Sequence, residues 1–123
     1  MKVLLIDDTP EIAELLTFAL RDRGHAVASS GYPTDITDLV KSESADAVVL
    51  DCSVFNMSES LFDELRSDTA LASLPVVIVS DTPEMADASL RARHAEHVML
   101  IPKPFTGSQI ARALQELAGP ASA

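Results

Sequence analysis

Cysteine, aromatic residues and positive charge are all scarce in this chain, and each scarcity narrows what it can be. A single cysteine, Cys52, excludes an intrachain disulfide and suits a reducing compartment. Aromatics make up only 4% of the residues, with no tryptophan, so a core must be built mainly from Val, Leu, Ile and Ala. Nine Lys and Arg stand against nineteen Asp and Glu, a formal net charge of -10. That is the wrong sign for the basic stripe of a direct nucleic-acid binder, and for adhesion to an anionic membrane. Long apolar runs are missing too. Met1 and Lys2 precede only four apolar residues before Asp7 and Asp8, too few for a signal-peptide core, and nothing reaches the length of a membrane span. The expected location is cytoplasmic.

What is present is an ordinary globular composition, 47% apolar over 123 residues. A chain of this size buries roughly two-thirds of its unfolded surface and needs no staple. One domain over residues 1–123 is expected, with Gly119 to Ala123 as a frayed tail.

Short aliphatic runs alternate with amphipathic segments. Val3–Ile6, Ala26–Ser29, Ala47–Leu50, Val76–Val79 and Val98–Ile101 read as strands. Between them lie helical patterns. The first opens at Pro10, places Ile12, Leu15, Leu16, Ala19 and Leu20 on one stripe, and stops at Gly24. Phe18 falls off that stripe. The next spans Asp35–Glu43 around Ile36, Leu39 and Val40, and a third runs from about Ser58 to Ser67 around Leu61, Phe62 and Leu65. Pro83 opens a fourth with Met85, Ala88, Leu90 and Ala92 inward. A fifth starts near Thr106 with Ile110, Leu114 and Leu117 on one face. Five strand-then-helix repeats with continuous aliphatic strands indicate a parallel sheet covered on both faces.

In such a doubly wound sheet the functional crevice lies at the carboxyl ends of the strands. Four of the five expected strands run into a chemically capable side chain there: Asp7 and Asp8, Asp51, Ser80 and Lys103. With strand order 2-1-3-4-5, the flavodoxin-like arrangement, Asp7 and Asp8 would face Asp51, with Ser80 and Lys103 beyond. Converging carboxylates repel one another and titrate together, and a hard divalent cation relieves that repulsion. A carboxylate beside such a cation can attack phosphorus and form an acyl phosphate. The Lys103 ammonium and the Ser80 hydroxyl would then meet the phosphoryl oxygens.

Any one aspartate after a strand is more often a cap or turn former; the ordered set is what carries weight. Leu5-Ile6-Asp7-Asp8, Val48-Val49-Leu50-Asp51, Val77-Ile78-Val79-Ser80 and Pro102-Lys103-Pro104-Phe105 together resemble the receiver domains of two-component response regulators, across nearly the whole chain. The resemblance implies a phosphorylation switch rather than a turnover enzyme. Asp51 would take a phosphoryl group from a phosphohistidine on a sensor histidine kinase or histidine phosphotransfer protein. Mg²⁺ would be held by Asp8, Asp51 and the Ser53 carbonyl, with Asp7 acting through water. It also implies a cis Lys103–Pro104 peptide, and output by contact of the fourth helix, fifth strand and fifth helix with a downstream protein.

Two other functions compete. One is a degenerate receiver that acts as a phosphorylation-independent interaction module. The other is an aspartyl-phosphate phosphohydrolase of the haloacid dehalogenase type, which needs Asp-x-Asp; Asp7-Asp8-Thr9 and Asp51-Cys52-Ser53 both lack it. His25, His94 and His97 have no metal-ligand spacing. Arg91, Arg93 and His94 read as a solvated helix end, and Cys52 as a small buried hydrophobe.

The chain departs from the family pattern at several positions. Phe55 stands where proline is common and Glu59 where glycine opens the third helix. Asp81 follows the switch hydroxyl and would narrow the entrance, and Leu100 replaces an aromatic switch residue. Ser53 and Thr82, at the positions that modulate dephosphorylation, carry neither carboxylate nor amide to orient a water. A long-lived acyl phosphate is therefore expected; loss of the label from phosphorylated protein within seconds would contradict it.

Overall fold

The computed structural model describes residues 1–118; the tail expected to fray lies outside them. Five strands, β1 (Lys2–Asp7), β2 (Ala26–Ser30), β3 (Ala47–Asp51), β4 (Val76–Ser80) and β5 (Val98–Pro102), alternate with α1 (Pro10–Asp22), α2 (Ile36–Glu43), α3 (Phe55–Ser67), α4 (Pro83–Ala92) and α5 (Gly107–Ala118). All neighbouring strands are parallel, as the pattern predicts, and the order is β2-β1-β3-β4-β5, the flavodoxin-like arrangement expected. The strands extend past their aliphatic runs, so Asp7, Asp51 and Ser80 are themselves terminal strand residues.

Alternation along the strands divides the core into two layers. On one face Val3, Leu5, Val49, Val77 and Val79 pack with Leu16 and Leu20 of α1 and with Ile110 and Leu114 of α5. On the other, Leu4, Ile6, Val48, Leu50, Val76 and Ile78 pack with Ile36, Val40, Leu61, Phe62 and Leu65. Strands β3 and β4 are buried at every position, which explains their unbroken aliphatic sequences.

Helix ends follow local chemistry. Pro10 starts α1, where its missing N–H costs nothing. Asp35 caps α2 and accepts from the Asp38 N–H at 3.0 Å. Gly24, with φ of 88°, makes the left-handed turn between α1 and β2.

Four sequence expectations need correction. Leu15 is not on the buried stripe but 65% exposed, beside Phe18 at 76%. Only Leu16 and Leu20 are fully buried on α1, because α5 and the sheet cover a narrow strip of it. On α4 Ala86 is fully buried and the expected Leu90 packs half-buried against the core, whereas Met85, Ala88 and Ala92 are exposed. Helix α3 begins at Phe55, three residues before the expected start at Ser58.

Arg93 is not a solvated helix end either. Its Nε and Nη2 donate to the two carboxylate oxygens of Asp63 at 2.8 and 3.0 Å, and Nη1 lies 3.3 Å from Glu59 Oε2. Glu59 also accepts from the Ser89 hydroxyl. Arg93 therefore ties α4 to α3 by a bidentate pair with Asp63, and the glutamate that stands in place of glycine adds a single longer contact to it. Arg66 makes a second tie: it lies over the Phe62 ring and donates to the carbonyls of Leu71, Glu96 and His97 at 3.0 to 3.1 Å.

Helices α1 and α5 meet closely at Gly107, where an added Cβ would overlap the Ala19 Cβ. Gly107→Ala should therefore destabilise by about 1–3 kcal/mol in urea unfolding. Ala19→Gly in the same chain should recover much of that loss, and a purely local helix effect would leave the pair additive.

Candidate functional site

Register brings the first pair together. Asp7 and Asp51 are partners across β1 and β3, and parallel pairing points both side chains to the same face. Both are buried, at 6% and 3% exposure. The Thr9 N–H donates to Asp7 Oδ1 at 2.8 Å. Asp7 Oδ2 is buried with no hydrogen-bond partner among the described residues. Burial first, and the neighbouring Asp51 carboxyl second, push the Asp7 pKa up to about 7.

Lys103 supplies the opposing charge. It sits just past β5, held there by its N–H donating to the Ser80 carbonyl at 2.8 Å, and the Lys103–Pro104 peptide is cis as expected. Its Nζ lies 3.0 Å from Asp51 Oδ1. The contact is an ion pair without hydrogen-bond alignment, so Oδ1 too is left with no hydrogen-bond partner. Partial burial pulls the ammonium pKa down, but Asp51, with help from Asp81 and Asp7, outweighs it and the net shift is upward.

Asp8 is placed differently. It follows β1, is exposed, and accepts a hydrogen bond from the Ser53 hydroxyl. That bond is the main reason its pKa lies below the ordinary carboxylate value. The three carboxylates therefore do not close on one point. Among the described residues no group of three His, Cys, Asp or Glu side chains is arranged to hold a metal ion alone. Two buried carboxylate oxygens without hydrogen-bond partners, with a third carboxylate at the rim, nevertheless constitute an unmet demand for positive charge. One lysine does not satisfy it, and hard oxygen donors of this kind fit a hard divalent cation.

Ser80 is buried, and its hydroxyl is already engaged. It accepts from the Thr82 N–H at 3.0 Å and lies 3.2 Å from the Thr82 hydroxyl. Thr82 occupies the cap position of α4 without a side-chain cap bond. Asp81 is exposed beside this turn. Leu100 is half-buried; it registers with Ile78, so it shares a sheet face with Ser80 one step away and borders an open groove of about 550 Å³ between α4 and β5. Cys52 is buried, and burial raises its thiol pKa to about 11, consistent with a small hydrophobe.

One site residue escaped the sequence reading. Tyr32, in the turn after β2, puts its hydroxyl 3.2 Å from the Ser53 backbone nitrogen and 3.4 Å from the Ser53 hydroxyl. The only local signal was its place between Gly31 and Pro33, which marks a turn and says nothing about what the ring reaches.

With this geometry in view, residues 3–115 match the family model described as the response regulator receiver domain. The chain belongs to the receiver family of two-component systems. The receiver is 30% identical over 94% of its length to a probable transcriptional regulatory protein, TcrX, of Mycobacterium tuberculosis, covering 48% of that protein. It is 28% identical over 89% of its length to the DNA-binding response regulator MtrA of Mycolicibacterium smegmatis, covering 46%. The receiver thus spans about half the length of the curated relatives it matches. Its fold also matches the receiver domain of the sensor histidine kinase PA1611 from Pseudomonas aeruginosa, at a TM-score of 0.73 and 23% identity, covering 96% of this chain and 97% of that one. That crystal structure is described with a magnesium ion coordinated in its active-site cleft. Receiver domains are signalling modules rather than turnover enzymes, and no helix of the described residues is long and apolar enough to cross a membrane.

The buried Asp7 carboxyl makes stability depend on pH. A carboxyl whose folded pKa is raised stabilises the fold fully below its ordinary value of 3.8, and that contribution is lost as pH climbs through about 7. Asp7→Asn removes the charge and the loss together. Without divalent cations it should be more stable than the parent by roughly 1–3 kcal/mol near neutral pH. The advantage in urea unfolding should shrink as pH falls toward 4.

Proposed function

We propose that residues 1–123 form a single receiver domain that accepts a phosphoryl group on Asp51. The observation that carries this reading is the buried Asp51 carboxylate, 3.0 Å from the Lys103 ammonium and in register with Asp7. A lone buried carboxylate pair is costly to keep unless it is used.

In the proposed reaction a carboxylate oxygen of Asp51 attacks the phosphorus of a phosphohistidine on a sensor kinase or phosphotransfer protein. The O–P bond forms as the N–P bond breaks, and the electron pair leaves with the imidazole, which takes up a proton. Lys103 is placed to neutralise charge on the transferring oxygens. Asp8, Asp51 and the Ser53 carbonyl would hold Mg²⁺, with Asp7 behind them. When bound, the cation would offset carboxylate repulsion and polarise the phosphoryl group. The Ser80 oxygen accepts from the Thr82 N–H through a lone pair, so its proton can exchange the Thr82 hydroxyl for a phosphoryl oxygen on Asp51. Because Ser80 and Leu100 share a face, that exchange has a short path to the α4–β5 groove. A protein target at that face suits the net charge of -10, which also argues against direct nucleic-acid contact by these residues.

Incubation with labelled acetyl phosphate and Mg²⁺ tests the reading. The parent chain should take label that base removes, Asp51→Asn should take none, and Lys103→Met should be slowed by about 100-fold. Chelating the cation should stop labelling. An unmodified Asp51 together with no affinity for Mg²⁺ would favour the phosphorylation-independent interaction module.

A further inference from the structure

Three residues from three separate loops meet at the rim of the acidic cleft. The Ser53 hydroxyl donates to an Asp8 carboxylate oxygen, so its single proton is spent there. The remaining contacts of Ser53 run to Tyr32. Its backbone N–H donates to the phenolic oxygen at 3.2 Å, and its hydroxyl oxygen lies 3.4 Å from the same atom. With the Ser53 proton committed to Asp8, the Tyr32 proton is left to be shared between Ser53 Oγ and the neighbouring Asp8 carboxylate. The phenol thus accepts from the Ser53 backbone and turns its proton toward Ser53 Oγ and the Asp8 carboxylate, while Ser53 donates its own proton to Asp8. The Tyr32 ring comes from the β2–α2 turn, Asp8 from the end of β1 and Ser53 from the loop after β3, so the contact braces three otherwise independent loops.

We propose that Tyr32 is a positioning residue for cation binding: by holding both the peptide and the hydroxyl of Ser53, it orients the Asp8–Ser53 rim of the cleft. This rests on the reading of Asp51 and Mg²⁺ given above. Tyr32 touches neither Asp51 nor Lys103 among the recorded contacts, so its effect falls on assembly of the cation site and not on phosphoryl transfer itself. Partners that sit behind a ligand commonly govern metal affinity in this way. The chain also carries its own reporter, because Tyr32 is the sole tyrosine and there is no tryptophan. Ultraviolet emission of the protein comes essentially from this one ring, whose hydroxyl lies against the rim.

The experiment is a Mg²⁺ titration of the whole chain, read in two ways. Tyrosine emission of the parent protein should change saturably with Mg²⁺. Labelling from acetyl phosphate, followed against Mg²⁺ concentration, should show a half-saturation about 10-fold higher in Tyr32→Phe. Its rate at saturating Mg²⁺ should stay within about twofold of the parent, the signature of lost binding without lost chemistry. Thermal unfolding without the cation should match the parent, since the ring itself is kept. If the parent is labelled on Asp51 while Tyr32→Phe keeps the parent half-saturation, or while parent emission ignores Mg²⁺, the role of Tyr32 is overturned and phosphoryl acceptance stands. A parent that neither binds Mg²⁺ nor takes label overturns both.

Discussion

Two carboxylates locked side by side in a parallel sheet set the terms for the rest of this molecule. Asp7 and Asp51 are register partners on adjacent strands, which lie about 4.8 Å apart in any sheet. Strand pairing fixes both backbones, so the two side chains stay on one face at the end of the sheet. Their repulsion is answered on one side by the Thr9 N–H and on the other by Lys103, delivered by the turn after β5. The answer is incomplete, since one oxygen of each carboxylate lacks a hydrogen-bond partner and Asp7 is driven toward its neutral form. A fold that retains such a pair holds electrostatic free energy at one place, available to whatever brings positive charge or covalent modification there.

The surroundings are arranged around that place in two different ways. On the side of β4, the Ser80 oxygen accepts from the Thr82 N–H, which ties the end of that strand to the turn that begins α4. On the side of β3, α3 is fastened to α4 by Glu59, Asp63, Ser89 and Arg93. Glu59 departs from the usual family residue, and its partner Arg93 gives that departure a physical purpose.

The fold was legible because its evidence is periodic. Five aliphatic runs spaced by amphipathic segments admit few architectures, and the chemically capable residues fell at the strand ends where such sheets bind ligands. The misreadings came where periodicity leaves a choice. On α1 the stripe containing Leu15 and that containing Leu16 differ by one step of the helix, and only the position of α5 decides between them. On α4 a small residue, Ala86, is fully buried while the larger neighbouring Met85 is left outside, a choice that residue size does not signal. Arg93 and Tyr32 carried no periodic signal, since a single polar side chain in a turn or helix end is uninformative until its partner is known.

By itself the sequence determined the parallel α/β sheet, the ends at which Asp7, Asp51, Ser80 and Lys103 would gather, and the family they resemble. These follow from local rules: strand runs, caps, and side chains placed one residue beyond an apolar run. Tertiary structure alone decided that Asp8 would turn to Ser53 rather than join Asp7 and Asp51, that Ser80 would rest on Thr82, and that Tyr32 would reach the rim. Each of those outcomes is a hydrogen bond whose choice of partner depends on where the β-α turns bring the chain. That placement is set by the packing of the two core layers, not by anything the neighbouring residues encode.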